Sequence, residues 1–195
     1  MLILCSASPR RRELLAAAGL SFEVVRPDID ETRRPGEPVQ GYVERLAREK
    51  VQAGLSLREK PRDGQSPLVG LAADTIVVVG DEVLGKPRDR SDAARMLSLL
   101  SGSAHAVITG VAVQGVSLRV KSARTLVRFR QLSEAELRFL TDSGDGDDKA
   151  GAYAVQGLAA MFVDGLEGSL TNVIGLPVPE ALELLAAEGV VPPWA

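Results

Sequence analysis

Asp74 is the residue whose setting most calls for a chemical explanation. With Thr75 it interrupts two apolar runs, residues 68–73 and 76–79. A carboxylate among such neighbours is costly unless it is paired or bound to a metal. In that place it can hold a divalent ion or take a proton from water. The plainer alternative is an acid at a strand end, turned to solvent at a kink. A second cluster is Ser6-Ala7-Ser8-Pro9-Arg10-Arg11. There a strand feeds a turn that opens a helix, and helix N-terminal N–H groups favour an anion. Two hydroxyls and two guanidiniums around one turn suit a polyphosphate; the alternative is a serine cap followed by a solvated arginine run. Lys50, Lys86 and Lys149 could each neutralise a phosphate, or each could be a surface lysine. Asp28, Asp30, Glu31, Asp147 and Asp148 are candidate oxygen ligands of the kind Mg²⁺ or Mn²⁺ prefers, or simply loop acids.

Several chemistries are disfavoured. His105 is the one histidine and Cys5 the one cysteine, so a zinc site built from those ligands is hard to assemble. No Gly-x-Ser-x-Gly elbow supports a serine triad, and no Gly-x-x-x-x-Gly-Lys-Ser/Thr loop is present. A structural hydrogen bond at a strand start is the preferred reading of His105. The net charge of -3 and an aromatic content of 4% argue against a nucleic-acid partner. A lone cysteine fits a reducing compartment. The apolar start, residues 2–5, is too short for a signal peptide, and no run approaches a membrane span. A cytoplasmic protein with no membrane partner is expected.

The elements that must position these residues are legible from pattern. The 195 residues, 45% apolar and 25% charged, are enough for a substantial core. Residues 2–5 and 22–26 read as strands, with Ser8 capping a helix between them. A helix is expected from about residue 38 to 55, then a polar loop over 58–67. Residues 68–79 are the most apolar stretch, and Gly80-Asp81 turns the chain into a short strand at 82–84. Ser91 is expected to cap a helix ending near Leu100. Strands at 105–113 and 118–129 precede a helix opened by the capping box Ser133-x-x-Glu136. Residues 153–163 are expected to be mostly extended, and 179–187 form the last helix. Alternating strands and helices with hairpins predict a mixed α/β sheet with flanking helices.

Taken in series, these segments resemble the Maf family of nucleotide pyrophosphatases. The matching pieces are Ser6-Ala7-Ser8-Pro9-Arg10-Arg11, Asp30-Glu31, Arg45-Leu46-Ala47 with Lys50, Ala73-Asp74-Thr75, Gly85-Lys86-Pro87 and Leu100-Ser101-Gly102. They continue with His105-x-Val107-x-Thr109-Gly110, Asp148-Lys149-Ala150-Gly151-Ala152-Tyr153, Gln156-Gly157 and Asn172-Val173-Ile174-Gly175-Leu176-Pro177. The resemblance covers nearly the whole chain. It implies a single domain over residues 1–195, with two lobes around a cleft, like the inosine triphosphate pyrophosphatases. It implies hydrolysis of a nucleoside triphosphate between its α- and β-phosphates, with a divalent cation, Mg²⁺ or Mn²⁺, and a homodimer.

Carried over by motif, Asp74 is the general base close to the metal, with Glu31 its partner there, and Lys50 and Lys86 complete the catalytic set. Ser8, Arg11, Lys50, Lys86 and Lys149 face the triphosphate, while Arg10, Thr75 and Gln156 stand at positions linked to base preference. Thr75 and Gln156 resemble the dTTP/UTP branch; the 7-methyl-GTP branch usually carries Ser-Asp-Gln and a Glu in those places. A Gln amide both donates and accepts, which matches the imide edge of thymine or uracil. Cys5 where Ala is usual, Ala72 where Gly is common, and Leu170-Thr171 before Asn172 depart from the pattern without removing a proposed group. Two alternatives remain: a nucleotide-binding regulator of septum formation with little turnover, and the 7-methyl-GTP branch.

Overall fold

The computed structural model describes residues 1–59 and 67–195. The expected polar loop at 58–67 therefore lies for the most part outside the described residues. Strands β1 (Leu2–Cys5), β2 (Glu23–Val25), β3 (Val69–Val79), β4 (Glu82–Leu84), β5 (Ala104–Gln114), β6 (Leu118–Phe129) and β7 (Val163–Glu167) are joined by helices. These are α1 (Pro9–Ala17), α2 (Val39–Ser56), α3 (Arg90–Leu100), α4 (Glu134–Ser143), α5 (Leu170–Ile174) and α6 (Val178–Ala186). The strands follow the order β2-β1-β3-β5-β6-β7, with β4 on β3. Pairing is parallel for β1 with β2 and β3, and antiparallel for β3–β4 and β6–β7, so the sheet is mixed as expected. The chain divides into two compact units: residues 1–74, 109–123 and 175–195, and residues 75–108 and 124–174.

In the first unit β1 is buried on both faces. Leu2 and Leu4 join Leu15, Leu71, Val111 and Leu176 on one side, while Ile3 and Cys5 join Ala47, Val51 and Ala72 on the other. Side chains alternate across a strand, so cover on both faces demands a continuous apolar run, and Leu-Ile-Leu-Cys is one. Ser8 caps α1, its hydroxyl accepting from the Arg11 N–H at 3.4 Å. Helix α2 comes so close to the sheet that two positions accept no side chain. A Cβ at Gly54 would lie 2.4 Å from Cys5 Sγ, and one at Gly110 would lie 2.4 Å from the Val43 carbonyl oxygen. Burial under α2 pushes the Cys5 thiol up to about 12.

The second unit holds its own core, with Val77, Leu97, Leu100, Val107, Val127, Phe129, Tyr153 and Phe162. Two expectations are corrected here. Asp89, not Ser91, caps α3, accepting from the Asp92 N–H at 2.8 Å. Residues 153–163 are not extended: a 3₁₀ turn at Leu158–Phe162 follows an irregular loop, and the strand begins at Val163. Ala159 and Phe162 reach the core from that turn, a spacing of three that an apolar count reads equally well as strand. The Ser133 capping box forms as read, with reciprocal Ser133 and Glu136 bonds.

His105 is buried in this unit, its Nε2 2.8 Å from the Tyr153 hydroxyl, with Phe129 and Tyr153 rings edge-on to it. The structural reading of His105 fits this setting. Burial lowers its pKa from 6.5 to about 4. The folded ring resists a proton that the unfolded chain takes up, so this stability is present above pH 6.5 and is lost as pH falls toward 4. A second loss follows below pH 4.5, where the Arg45 and Arg130 guanidiniums hold Glu37 and Glu136 at about 2 in the folded state. Thermal midpoints taken across this range are expected to fall in two limbs. His105→Phe is expected to flatten the limb between pH 6.5 and 4; an unchanged slope there would assign it to another group.

Candidate active site

Three side chains from three elements of the first unit meet at one ammonium. Lys50 comes from α2, Asp74 from the middle of β3, and Glu31 from the irregular segment that precedes α2. Lys50 Nζ lies 2.6 Å from Asp74 Oδ1 and 2.8 Å from Glu31 Oε1. Asp74 is 6% exposed, within a strand that continues unbroken to Val79. The strand-end kink is thereby excluded, and the buried acid has the paired cation that its position requires.

The first turn of α1 supplies the guanidinium of this site. Arg11 donates from Nε to the Gly175 carbonyl at 2.7 Å and from Nη1 to Ser6 Oγ at 3.4 Å. Ser6 Oγ also accepts the Ser8 N–H at 3.2 Å, so the turn and the guanidinium are tied together. Burial draws the Arg11 pKa below its ordinary value, while Asp74 and Glu31 act in the opposite sense and Arg10 adds to the depression. Arg11 thus shares an electrostatic neighbourhood with both carboxylates. Arg10 stands beside it in the same turn. Of the residues singled out from sequence, Ser8, Arg10, Arg11, Glu31, Lys50 and Asp74 all belong to this unit.

Thr75, Lys86, Lys149 and Gln156 belong to the second unit. There the Gly151 N–H donates to the Gly85 carbonyl at 3.0 Å, which sets the Lys86 turn beside the segment carrying Lys149. Lys149 donates to the Asp145 carbonyl and pairs with Asp148 Oδ1 at 2.7 Å. Lys86 and Gln156 are exposed. Thr75 follows Asp74 directly along β3.

A divalent cation is what two converging carboxylates suit. Among the described residues no group of three or more His, Cys, Asp or Glu is placed to hold a metal ion. Asp28, Asp30, Asp147 and Asp148 therefore add nothing to a cluster. Asp30 instead accepts the Thr32 N–H at 2.9 Å. Glu31 and Asp74 alone offer an incomplete oxygen shell. That is the arrangement Mg²⁺ tolerates, since it keeps waters and draws further oxygens from substrate phosphates.

Sequence reading gave no role to the residues that hold Glu31 in place. Tyr42 donates its hydroxyl to the Glu31 carbonyl at 2.7 Å. Arg45 donates to both carboxylate oxygens of Glu37, to Glu49 and to the Thr32 carbonyl. The signal was an arginine within the apolar repeat of α2, spaced with Val43, Leu46 and Ala47, where a charge needs fixed partners.

A profile of the family described as Maf-like protein matches residues 1–188. A dTTP/UTP pyrophosphatase from Chromobacterium violaceum is 50% identical over 187 residues, covering 95% of this chain and 93% of that one. One from Myxococcus xanthus is 48% identical over 194 residues, covering 100% and 95%. One from Hahella chejuensis is 47% identical over 190 residues, covering 97% and 92%. A solved nucleoside-triphosphatase / dITP/XTP pyrophosphatase from Mycobacterium abscessus aligns at 17% identity, with a TM-score of 0.36, over 66% of this chain and 72% of that one.

Proposed function

Since the chain belongs to the Maf-like protein family, we propose that it is a nucleoside triphosphate pyrophosphatase that hydrolyses dTTP and UTP to the monophosphate and pyrophosphate. The relatives named for that activity match it almost end to end. The observation that carries the reading is the buried Asp74 carboxylate, held 2.6 Å from Lys50 beside Glu31. A regulator that only bound nucleotide would have no use for a desolvated acid placed to accept a proton.

In this reading Asp74 takes the proton of a water whose oxygen bonds to phosphorus as the α–β bridging bond breaks. Pyrophosphate leaves with the bridging oxygen. Lys50, Arg11 and the helix turn at Ser8 oppose the charge that builds on the phosphate oxygens. Glu31 and Asp74 would hold a Mg²⁺ or Mn²⁺ ion, which supplies charge neutralisation at the triphosphate. Lys86 and Lys149 are assigned to the triphosphate, and Arg10, Thr75 and Gln156 to base preference, on their motif positions. The enzyme is further read as a cytoplasmic homodimer; among the described residues no helix is long and apolar enough to cross a membrane.

Product identity tests the reaction. Incubation with dTTP, UTP, other nucleoside triphosphates and 7-methyl-GTP in Mg²⁺ or Mn²⁺ is expected to release pyrophosphate and monophosphate, fastest from dTTP and UTP. Orthophosphate with diphosphate as products would overturn the reaction, and fastest turnover of 7-methyl-GTP would overturn the branch. Gln156→Glu replaces an amide that donates and accepts by a carboxylate that only accepts. The ratio of kcat/KM for dTTP over 7-methyl-GTP is expected to fall about tenfold or more. An unchanged ratio would remove Gln156 from base selection.

A further inference from the structure

We propose that Arg45 and Tyr42 are positioning residues, which lock the segment entering α2 so that the Glu31 carboxylate is delivered to Lys50 and Asp74. The inference rests on the reading of Glu31 and Asp74 as the acids of the active site. Glu31 lies in residues 26–34, which form no helix or strand, so nothing in regular backbone pairing fixes it. Two side chains from α2, one turn apart, do so instead. The Tyr42 hydroxyl holds the Glu31 carbonyl at 2.7 Å, and Arg45 Nη2 holds the Thr32 carbonyl at 3.0 Å.

Arg45 also grips the far end of the segment. Its Nε and Nη2 meet Glu37 Oε1 and Oε2 at 2.6 and 3.0 Å, a two-pronged pair, and Nη1 meets Glu49 at 3.0 Å. The guanidinium is buried and sits over the Tyr42 ring, 5.6 Å from its centroid. Both ends of residues 31–37 are therefore pinned to the helix that carries Lys50. A lysine at position 45 keeps the charge but cannot make the fork and the carbonyl bond together. Buried partners that orient a site's ligands are expected to matter about 10- to 100-fold when lost.

The test is a double-mutant cycle on Mn²⁺ affinity, followed by electron paramagnetic resonance on the full chain without nucleotide, with turnover measured in parallel. Arg45→Lys is expected to weaken Mn²⁺ binding and lower kcat about tenfold, and Tyr42→Phe, which removes one hydroxyl, about threefold. With Mn²⁺ saturating, neither is expected to change the KM for dTTP by more than about twofold. The same substitutions in a Glu31→Gln background are expected to cost almost nothing further, because their effect passes through Glu31. Equal losses in both backgrounds would make Arg45 and Tyr42 general stabilisers and overturn the proposal. If Arg45→Lys does not fold, Tyr42→Phe with and without Glu31→Gln decides alone. A Glu31→Gln chain indistinguishable from the parent would overturn the proposal together with the role of Glu31. Pyrophosphate release by the parent would still stand in that case, so the two failures are told apart.

Discussion

Asp74→Asn is expected to lower turnover of dTTP by about a thousandfold while leaving the protein folded. General-base catalysis is worth roughly 10² to 10⁴ in rate, and the amide keeps the shape of the carboxylate while losing its capacity to accept the proton. Asp74 is 6% exposed, so bulk water has little room to substitute for it. The KM for nucleotide is expected to rise as well, because Asp74 is also read as a holder of the cation at the triphosphate, so the loss of the general base is read from kcat and not from kcat/KM. Initial rates of pyrophosphate release at saturating dTTP and Mg²⁺ measure the effect, with thermal unfolding as the control for folding. Turnover within tenfold of the parent would take the general-base role away from Asp74. Lys50→Met addresses the same pair from the other side, but it also strips the acid of its cation, so its loss mixes catalysis with stability.

Gly110→Ala is expected to produce the largest loss of stability of any single methyl addition in the first unit. The new Cβ would meet Val43 O at 2.4 Å, Val43 C at 2.5 Å and Glu44 N at 2.8 Å. These are backbone atoms of a helix, with no flexible side-chain end that could swing aside, so α2 itself must move. Overpacking of this kind costs about 3 kcal/mol at the upper end of its usual range. That corresponds to a fall of roughly 10 °C in the thermal midpoint for a chain of this length. Activity is expected to suffer as well, because α2 carries Lys50, Tyr42 and Arg45. Gly41→Ala supplies the contrast on the same helix. Its nearest neighbour is Pro38 Cδ at 3.9 Å, and replacing a helical glycine by alanine is worth about 0.5–1 kcal/mol in the stabilising direction. Opposite signs for the two substitutions would confirm that the close approach at Gly110, and not a general effect of alanine, is responsible.

The local codes of this chain were legible where one residue type sufficed to write them. Ser8-Pro9, the Ser133 capping box, Gly80-Asp81 and the all-apolar β1 each specify a conformation by their own chemistry, and each is found as read. Asp74 stood out because a charge inside an apolar run is unusual whatever the fold. Asp89 and Ser91 are both good caps, and only the helix register chooses between them. Residues 153–163 read as extended because turns of three-residue period and short strands leave similar apolar traces. The pinning of Glu31 is legible only in part: Arg45 within the apolar repeat of α2 marks a charge that needs fixed partners, but nothing names those partners. It depends on Arg45, eight residues beyond Glu37, reaching back to a segment with no periodicity, and pairing across an irregular loop leaves no mark in spacing. Lys50 and Asp74 likewise sit 24 positions apart, and only the crossing of α2 over the sheet brings them together.

The burial of Cys5 beneath Gly54 has a practical consequence. A maleimide or iodoacetamide reagent meets no accessible native target among the described residues, so the wild-type chain should stay unlabelled until it is unfolded. A single cysteine introduced at an exposed position such as Gln156 would then carry a fluorophore or spin probe uniquely, with no need to engineer away a background site first.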